Sequence, residues 1–478
     1  MRRSRTRRAA PGAVLLAAAL CVPVFPGAAA ADGSGDVPAY RTADGAEAVH
    51  GATNSADGRR LASGGTYTDE VGPGERKYYT VELDSSSQPR ISAVALPEAG
   101  ADVSYSDSLT LTLESTDGTT CGEGTARFSA DGAAWPLVAW AARVVGPDQD
   151  CQEAGVYNLS VARSGEKTDS GGDWPVELRL MREPGLASRP AEVSREAEDA
   201  PTALPKMPTE KPRRIRGGTG FNDAAGMASG VWRDRIRPGE TRFYRVPLDW
   251  GRSLAVRTEF ATTDTTDTSG YTSQGVRTEV YSPARAFVAG DSALYGADDP
   301  AAVPLRTPRV TYGSRYSYQD GLAAASVAGW YYVAVHAHRD LGDFVTDAVP
   351  VTLRVRLSGK ATGGPDYDGD PAAAGFGVTG EDREQADRGQ TPQAARRSEL
   401  LTVVGWSGIG AGAGLVAVLA LWAVLARRRA ARAAPAAPAG GGSGAGYAQQ
   451  STQTASSAPY GGPPYASGPL HGPPANGS

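Results

Sequence analysis

Apolar and polar residues alternate with period two in several short stretches of the chain, and the clearest of these occurs twice. Tyr79, Val81 and Leu83 alternate with Thr80 and Glu82, the spacing of a strand with one face on a core. Tyr244, Val246 and Leu248 repeat the pattern, with Arg245 and Pro247 on the opposite face. Pro247 has no N–H for a ladder, so this strand is expected near a sheet edge. Val176, Leu178 and Leu180 alternate with Glu177 and Arg179, which are expected to face solvent. Pro73-Gly74 and Pro238-Gly239 precede the first pair of strands and suit the centre of type II turns: Pro fixes φ and Gly accepts a positive one. Neither region carries sustained helical periodicity.

The repetition extends well beyond one strand. At a constant offset of 165, Tyr67–Asp84 and Trp232–Asp249 share Asp69/Asp234, Pro73/Pro238, Gly74/Gly239, Glu75/Glu240, Tyr79/Tyr244 and Asp84/Asp249. Ala154-Gly155-Val156-Tyr157 then matches Ala328-Gly329-Trp330-Tyr331, and Pro175–Leu180 matches Pro350–Val355. Three blocks in one order identify two copies of a unit, 50–184 and 217–359. Short alternating strands between Gly, Pro and Asp turns imply an all-β ectodomain of two tandem antiparallel β-sandwich domains, jelly-roll-like in type.

The block Gly65–Asp84, followed by the A-G-x-Y element and a last alternating strand, resembles the bacterial pre-peptidase C-terminal domain. That resemblance implies a jelly-roll β-sandwich of the kind found beside secreted proteases and in other cell-surface proteins. The second copy, with its Gly217–Ala224 lead-in and Leu248-Asp249-Trp250-Gly251, is similar to variants in actinobacterial single-pass membrane proteins, some of which carry a von Willebrand A domain. The shared motif is turn-and-strand chemistry and brings no catalytic residues with it. A D-x-S-x-S metal motif is missed at the last position of Asp84-Ser85-Ser86-Ser87-Gln88.

The ends of the chain read as targeting and anchoring. An Arg-rich start, the apolar run Gly12–Phe25 and Ala28-Ala29-Ala30 form a signal peptide over 1–30, which removes Cys21 with it. Leu401–Ala426 is free of charge; at about 1.5 Å per residue it is roughly 39 Å long, enough for a tilted transmembrane helix. Arg427-Arg428-Arg429 follows and assigns the C-terminus to the cytoplasm. The expectation is a cell-membrane protein with one span, its N-terminal ectodomain outside. Gly408/Gly412 and Gly410/Gly414 are small-xxx-small pairs that suit homo-oligomer formation through this helix. Residues 185–216 read as a Pro-rich linker, 360–400 as an acidic Gly/Asp/Gln-rich stalk, and 427–478 as a basic stop with a disordered Pro/Gly/Ala/Ser-rich tail.

Composition narrows the chemistry. The net charge of −5 combines basic ends with an acidic interior, which argues against nucleic acid as a partner. Cys121 and Cys151 remain after signal removal and are expected to form a disulfide, worth roughly 3.7 kcal/mol by loop entropy. The second copy has no cysteine, so the bond is a staple on one domain. His336 and His338 lie two apart on a strand facing outward, too few for a metal site; Asp366, Asp368 and Asp370 lack a later bidentate acid for calcium. Gly290-Asp291-Ser292 lacks the scaffold of a nucleophile elbow. No catalytic residue, metal or cofactor is expected. The binding candidates are Tyr312, Arg315, Tyr316 and Tyr318, in an insertion of the second copy, joined by Tyr332 on an outward face. The expected function is non-catalytic binding or scaffolding toward an envelope protein or polysaccharide. The alternative is an accessory subunit of a secreted or membrane-bound protease or of a von Willebrand A-type protein.

Overall fold

Each Pro-Gly pair turns the chain into a strand that is then held from behind by its repeated polar neighbours. Gly74 and Gly239 have φ of 71° and 75°, and Glu75 and Glu240 close the turns by donating N–H to the carbonyls of Gly72 and Arg237. The same glutamates accept back from the N–H groups of Gly72 and Arg237, at 2.7 and 2.9 Å. Asp69 Oδ2 accepts from the Tyr79 hydroxyl and the Gly51 N–H, both at 2.7 Å. Asp234 does the same for Tyr244 and Gly217, both at 2.8 Å. Burial raises the Asp69 carboxyl pKa, but hydrogen bonds from Tyr79, Gly51, Glu70 and Lys77 outweigh it and hold Asp69 below the usual range. The identical residues of the repeat are thus those that fix the turn and tie the two sheets together.

The computed structural model describes residues 37–165, 172–188 and 203–432, and within these no side-chain account is given for 399, 400, 402–411, 430 and 431. Residues 1–30, expected to be a signal peptide, the expected tail 433–478 and the centre of the 185–216 linker lie outside the described residues. The first copy runs β1 (Glu47–Ala48), β2 (Arg59–Leu61), β3 (Thr66–Val71), β4 (Arg76–Leu83), β5 (Gln88–Ala95), β6 (Ser108–Ser115), β7 (Thr120–Arg127), β8 (Leu137–Ala142), β9 (Gly155–Ser164) and β10 (Trp174–Glu183). The second runs β11 (Arg213–Arg214), β12 (Ala225–Gly226), β13 (Gly230–Ile236), β14 (Thr241–Leu248), β15 (Ser253–Phe260), β16 (Tyr271–Tyr281), β17 (Phe287–Gly296), β18 (Ala301–Arg306), β19 (Gly329–Ala337) and β20 (Val349–Ser358).

The strand orders are β1-β3-β10-β5-β8 and β2-β4-β9-β6-β7, then β11-β13-β20-β15-β18 and β12-β14-β19-β16-β17. Strand for strand, the second copy repeats the first. Each copy is a two-sheet sandwich with the jelly-roll order, its main strands antiparallel and a short parallel strand added at one edge of each sheet. Tyr79, Val81, Leu83, Leu178 and Leu180 fill the first core; Tyr244, Val246, Leu248, Leu353 and Val355 fill the second. Pro247 lies beyond the two residues that β12 pairs with, at Tyr244 and Arg245, so its missing N–H breaks no ladder. The Cys121–Cys151 disulfide is formed.

Two expectations change here. Glu177 does not face solvent: it is fully buried, because the outer face of its sheet is covered. Residues 360–400 do not stand free as a stalk over their described length. Phe376, Ala386 and Ala395 are buried, Asp382 accepts from the Trp330 indole at 2.8 Å, and Gln385 accepts from Arg245 at 2.8 Å. The segment carries enough apolar and polar anchors to strap down on the second sandwich. The linker likewise pairs at its described ends, Ala187 donating to Asp366 and Asp368 donating to Gly185.

The chain divides into two units, 1–403 and 404–478. Pro392–Arg432 is helical throughout. Among the described residues no helix is long and apolar enough to cross a membrane; side chains 402–411, inside the expected span, are not among them. Leu415, Val418, Leu421, Trp422 and Val424 are all exposed.

Candidate functional site

The covered sheet face leads to the candidate site, because it gathers the charged and aromatic side chains on which sequence reasoning depended. The outer face of β1-β3-β10-β5-β8 lies on the outer face of β12-β14-β19-β16-β17. Val94 and Val138 from the first copy cluster there with Phe221, Phe243, Tyr281 and Tyr332 from the second. Phe221 is at the centre, edge-on to Tyr281 and Tyr332 at 5.3 and 5.0 Å.

Two buried carboxylates flank this apolar patch. Glu177 pairs with Arg285, both at 0% exposure, and accepts also from Asn222 (2.9 Å) and the Ala43 N–H (2.7 Å). Arg285 sits in a tight turn with φ of 61°, in the left-handed region that a side chain makes costly. Glu183 is held by Arg315 (2.9 Å), Arg90 (2.8 Å) and the Tyr367 hydroxyl (2.7 Å). Burial raises both carboxyl pKa values, and the adjoining guanidiniums outweigh it, so both stay below the ordinary range. Tyr332 is governed by the same balance: burial raises its phenol, while Arg179, Arg285 and Arg245 lower it further.

The sequence-derived binding candidates are therefore divided. Arg315 is buried against Glu183, and Tyr312 accepts from the Gln88 amide at 3.0 Å. The Tyr316 hydroxyl donates to the Val145 carbonyl at 3.4 Å. Tyr332 does point outward from its sheet, but into the contact, where it is 6% exposed. Tyr318 alone of the five is fully exposed. Gly408 and Gly410 have no described surroundings; Gly412 and Gly414 have nothing within 4 Å of a built Cβ.

His336 faces outward from β19 into the contact and is buried; His338, expected on the same strand, lies just past its end, also buried, where its Nδ1 accepts from the Asp340 N–H at 3.1 Å. Burial, followed by the charges of His338 and Arg277, pushes the His336 pKa down to about 3. Its Nδ1 lies 3.0 Å from the Thr241 hydroxyl, and its ring 5.7 Å from that of Trp135. His338 lines a cleft of about 490 Å³ with Asp131, Asp267, Asp340 and Asp343. Among the described residues no group of three or more His, Cys, Asp or Glu side chains is placed to hold a metal. Asp370 caps the N–H groups of Ala372 and Ala373. The Ser292 hydroxyl donates to Gln274, not to an imidazole.

Sequence reasoning missed Glu177, Glu183 and Arg285 as the residues that join the copies. A charged residue at an outward strand position looks the same whether that face is wet or covered.

No protein-family model matches the chain, and no curated protein matches it. Among solved structures, the pre-peptidase C-terminal domain of a collagenase from Bacillus anthracis is similar at 19% identity and TM-score 0.17, over 26% of this chain and 94% of that one. The tandem CBM22 domains of Paenibacillus barcinonensis Xyn10C are similar at 9% identity and TM-score 0.20, over 62% and 86%. Tandem CBM51 modules of a family 98 glycoside hydrolase from Streptococcus pneumoniae are similar at 8% identity and TM-score 0.17, over 62% and 84%.

Proposed function

We propose that this chain is a single-pass cell-surface protein whose two sandwiches form one rigid, non-catalytic binding module for an envelope polysaccharide. The observation that carries the reading is the buried junction. Charged pairs at Glu177 and Glu183 and an aromatic cluster bind the copies into one unit, which leaves the opposite faces as its working surface. A buried pair breaks at a cost of several kcal/mol, so the copies should not swing apart. Anchoring is supported by the charge-free segment 401–426, its exposed apolar side chains and the arginines that follow.

Two measurements on intact cells and on detergent-solubilised full chain test this. Protease shaving should remove the sandwiches from cells, and immobilised envelope polysaccharide should retain the purified protein. Sandwiches protected from shaving would end the surface assignment. A protease that co-purifies in fixed ratio, without polysaccharide retention, would favour the accessory-subunit reading.

A further inference from the structure

The second sandwich turns a strongly basic cleft to solvent. It encloses about 850 Å³ at the edge of β11-β13-β20-β15-β18 and is lined by Arg214, Arg216, Arg233, Arg235, Arg237 and Arg242. Its three acids, Asp234, Glu240 and Asp347, are engaged. Asp234 accepts from Gly217, Tyr244 and Arg235 N–H; Glu240 pairs with Arg242 at 2.7 Å; Asp347 pairs with Arg235 at 2.8 Å. The side chains of Arg214, Arg216, Arg233 and Arg237 have no hydrogen bond or ion pair among the described residues; Arg214, Arg216 and Arg233 are exposed and Arg237 partly so.

This charge belongs to one copy only. The ladder pairs Ala48 with Thr68 in the first copy and Arg214 with Arg233 in the second, and Gly51 and Gly217 bond alike to Asp69 and Asp234. The first copy therefore carries Ala48, His50, Thr68 and Gly72 where the second carries Arg214, Arg216, Arg233 and Arg237. The same backbone folds without those arginines, so the fold does not require them. Four unpaired guanidiniums gathered in one cleft repel one another, and each presents a fork that fits phosphate or carboxylate in two-point fashion. No aromatic residue is among those lining the cleft, so no ring is offered there for stacking a base.

We propose that this cleft binds an anionic glycan chain through its phosphate or carboxylate groups; this rests on the binding role proposed for the module and gives it a ligand class. The free guanidiniums hold successive anionic groups, while Arg235 and Arg242, locked to Asp347 and Glu240, shape the walls.

The test uses the detergent-solubilised full chain and a variant with Arg214→Ala, Arg216→His, Arg233→Thr and Arg237→Gly, the residues of the first copy. Probes are polygalacturonate, inorganic polyphosphate and neutral dextran. The wild type should bind one or both polyanions and not dextran, with affinity falling roughly 50- to 100-fold between about 50 and 200 mM salt. The variant should lose binding at least tenfold at unchanged melting temperature. Polygalacturonate alone assigns carboxylate, polyphosphate alone phosphate. Equal binding by variant and wild type overturns the proposal, as does self-association of the wild type that the variant abolishes without any polyanion binding. Dextran retained equally by both proteins ends this inference and leaves the binding module intact; no retention of any polymer ends both.

Discussion

The sheet that contains β10 in the first copy and its equivalent containing β20 in the second have the same strands and opposite fates. In the first copy this face carries Glu177, Arg179, Met181 and Glu183 and is buried against the other sandwich. In the second, the matching positions of β20 are Thr352, Arg354, Arg356 and Ser358, and none is buried. The two acids that receive Arg285 and Arg315 have become hydroxyl residues. The copies are thus joined head to tail, one kind of sheet on the other, and the free end of the stack carries hydroxyls where the docking acids stand in the first copy. Such a contact, if repeated, builds open chains. A free face without those acids lacks the partners that a further Arg285 and Arg315 would need. Duplication supplied the frame, and side-chain exchange on one face separated contact from surface.

The sharpest way to break this comparison is at the buried pair. Arg285→Met leaves Glu177 without its partner and should cost about 3–5 kcal/mol in denaturant unfolding. Thr352→Ala, at the position equivalent to Glu177, should stay within about 0.5 kcal/mol. Equal costs at both sites would mean that the two faces are not differently used.

Acid should act on the junction and spare the free face. His336 is neutral when folded, with a pKa of about 3 against 6.5 unfolded, so the unfolded chain takes up a proton that the folded one does not. Stability should fall as pH drops below 6.5, by up to about 1.4 kcal/mol per unit from this group. Glu177 and Glu183 have depressed values, so their contribution is present above about 4.5 and is lost as pH falls further. Urea unfolding at a series of pH values should show a decline that steepens below 4.5, and His336→Gln should flatten its upper part. A pH-independent midpoint would sink the account of a charged, dry junction.

The smallest effect concerns what the copies share. Gly74→Ala and Gly239→Ala each place a side chain at positive φ and should each cost about 1 kcal/mol by thermal unfolding. A large difference between them would show that the shared turn is not equally important to both sandwiches.

Much of this was legible in the chain itself. Alternation at Tyr79, Val81 and Leu83, the Pro-Gly turns and the offset of 165 between copies are local or self-referring patterns, and they specify strands, inward faces and duplication. The cysteine pair was equally plain. The packing of 360–395 was not, because its anchors are single residues spaced without period: Phe376, Asp382, Gln385. Tyr332 and His336 were assigned to the correct side of their strand, yet the consequence drawn from that side was wrong.

Sequence alone determined the inside of each sandwich, since a core is written as a period-two stripe within one strand. Which outside would be dry was decided only by the tertiary structure. Burial of an outer face depends on a partner surface more than a hundred residues away, and charged side chains such as Glu177 and Arg285 are as compatible with water as with each other until that surface arrives.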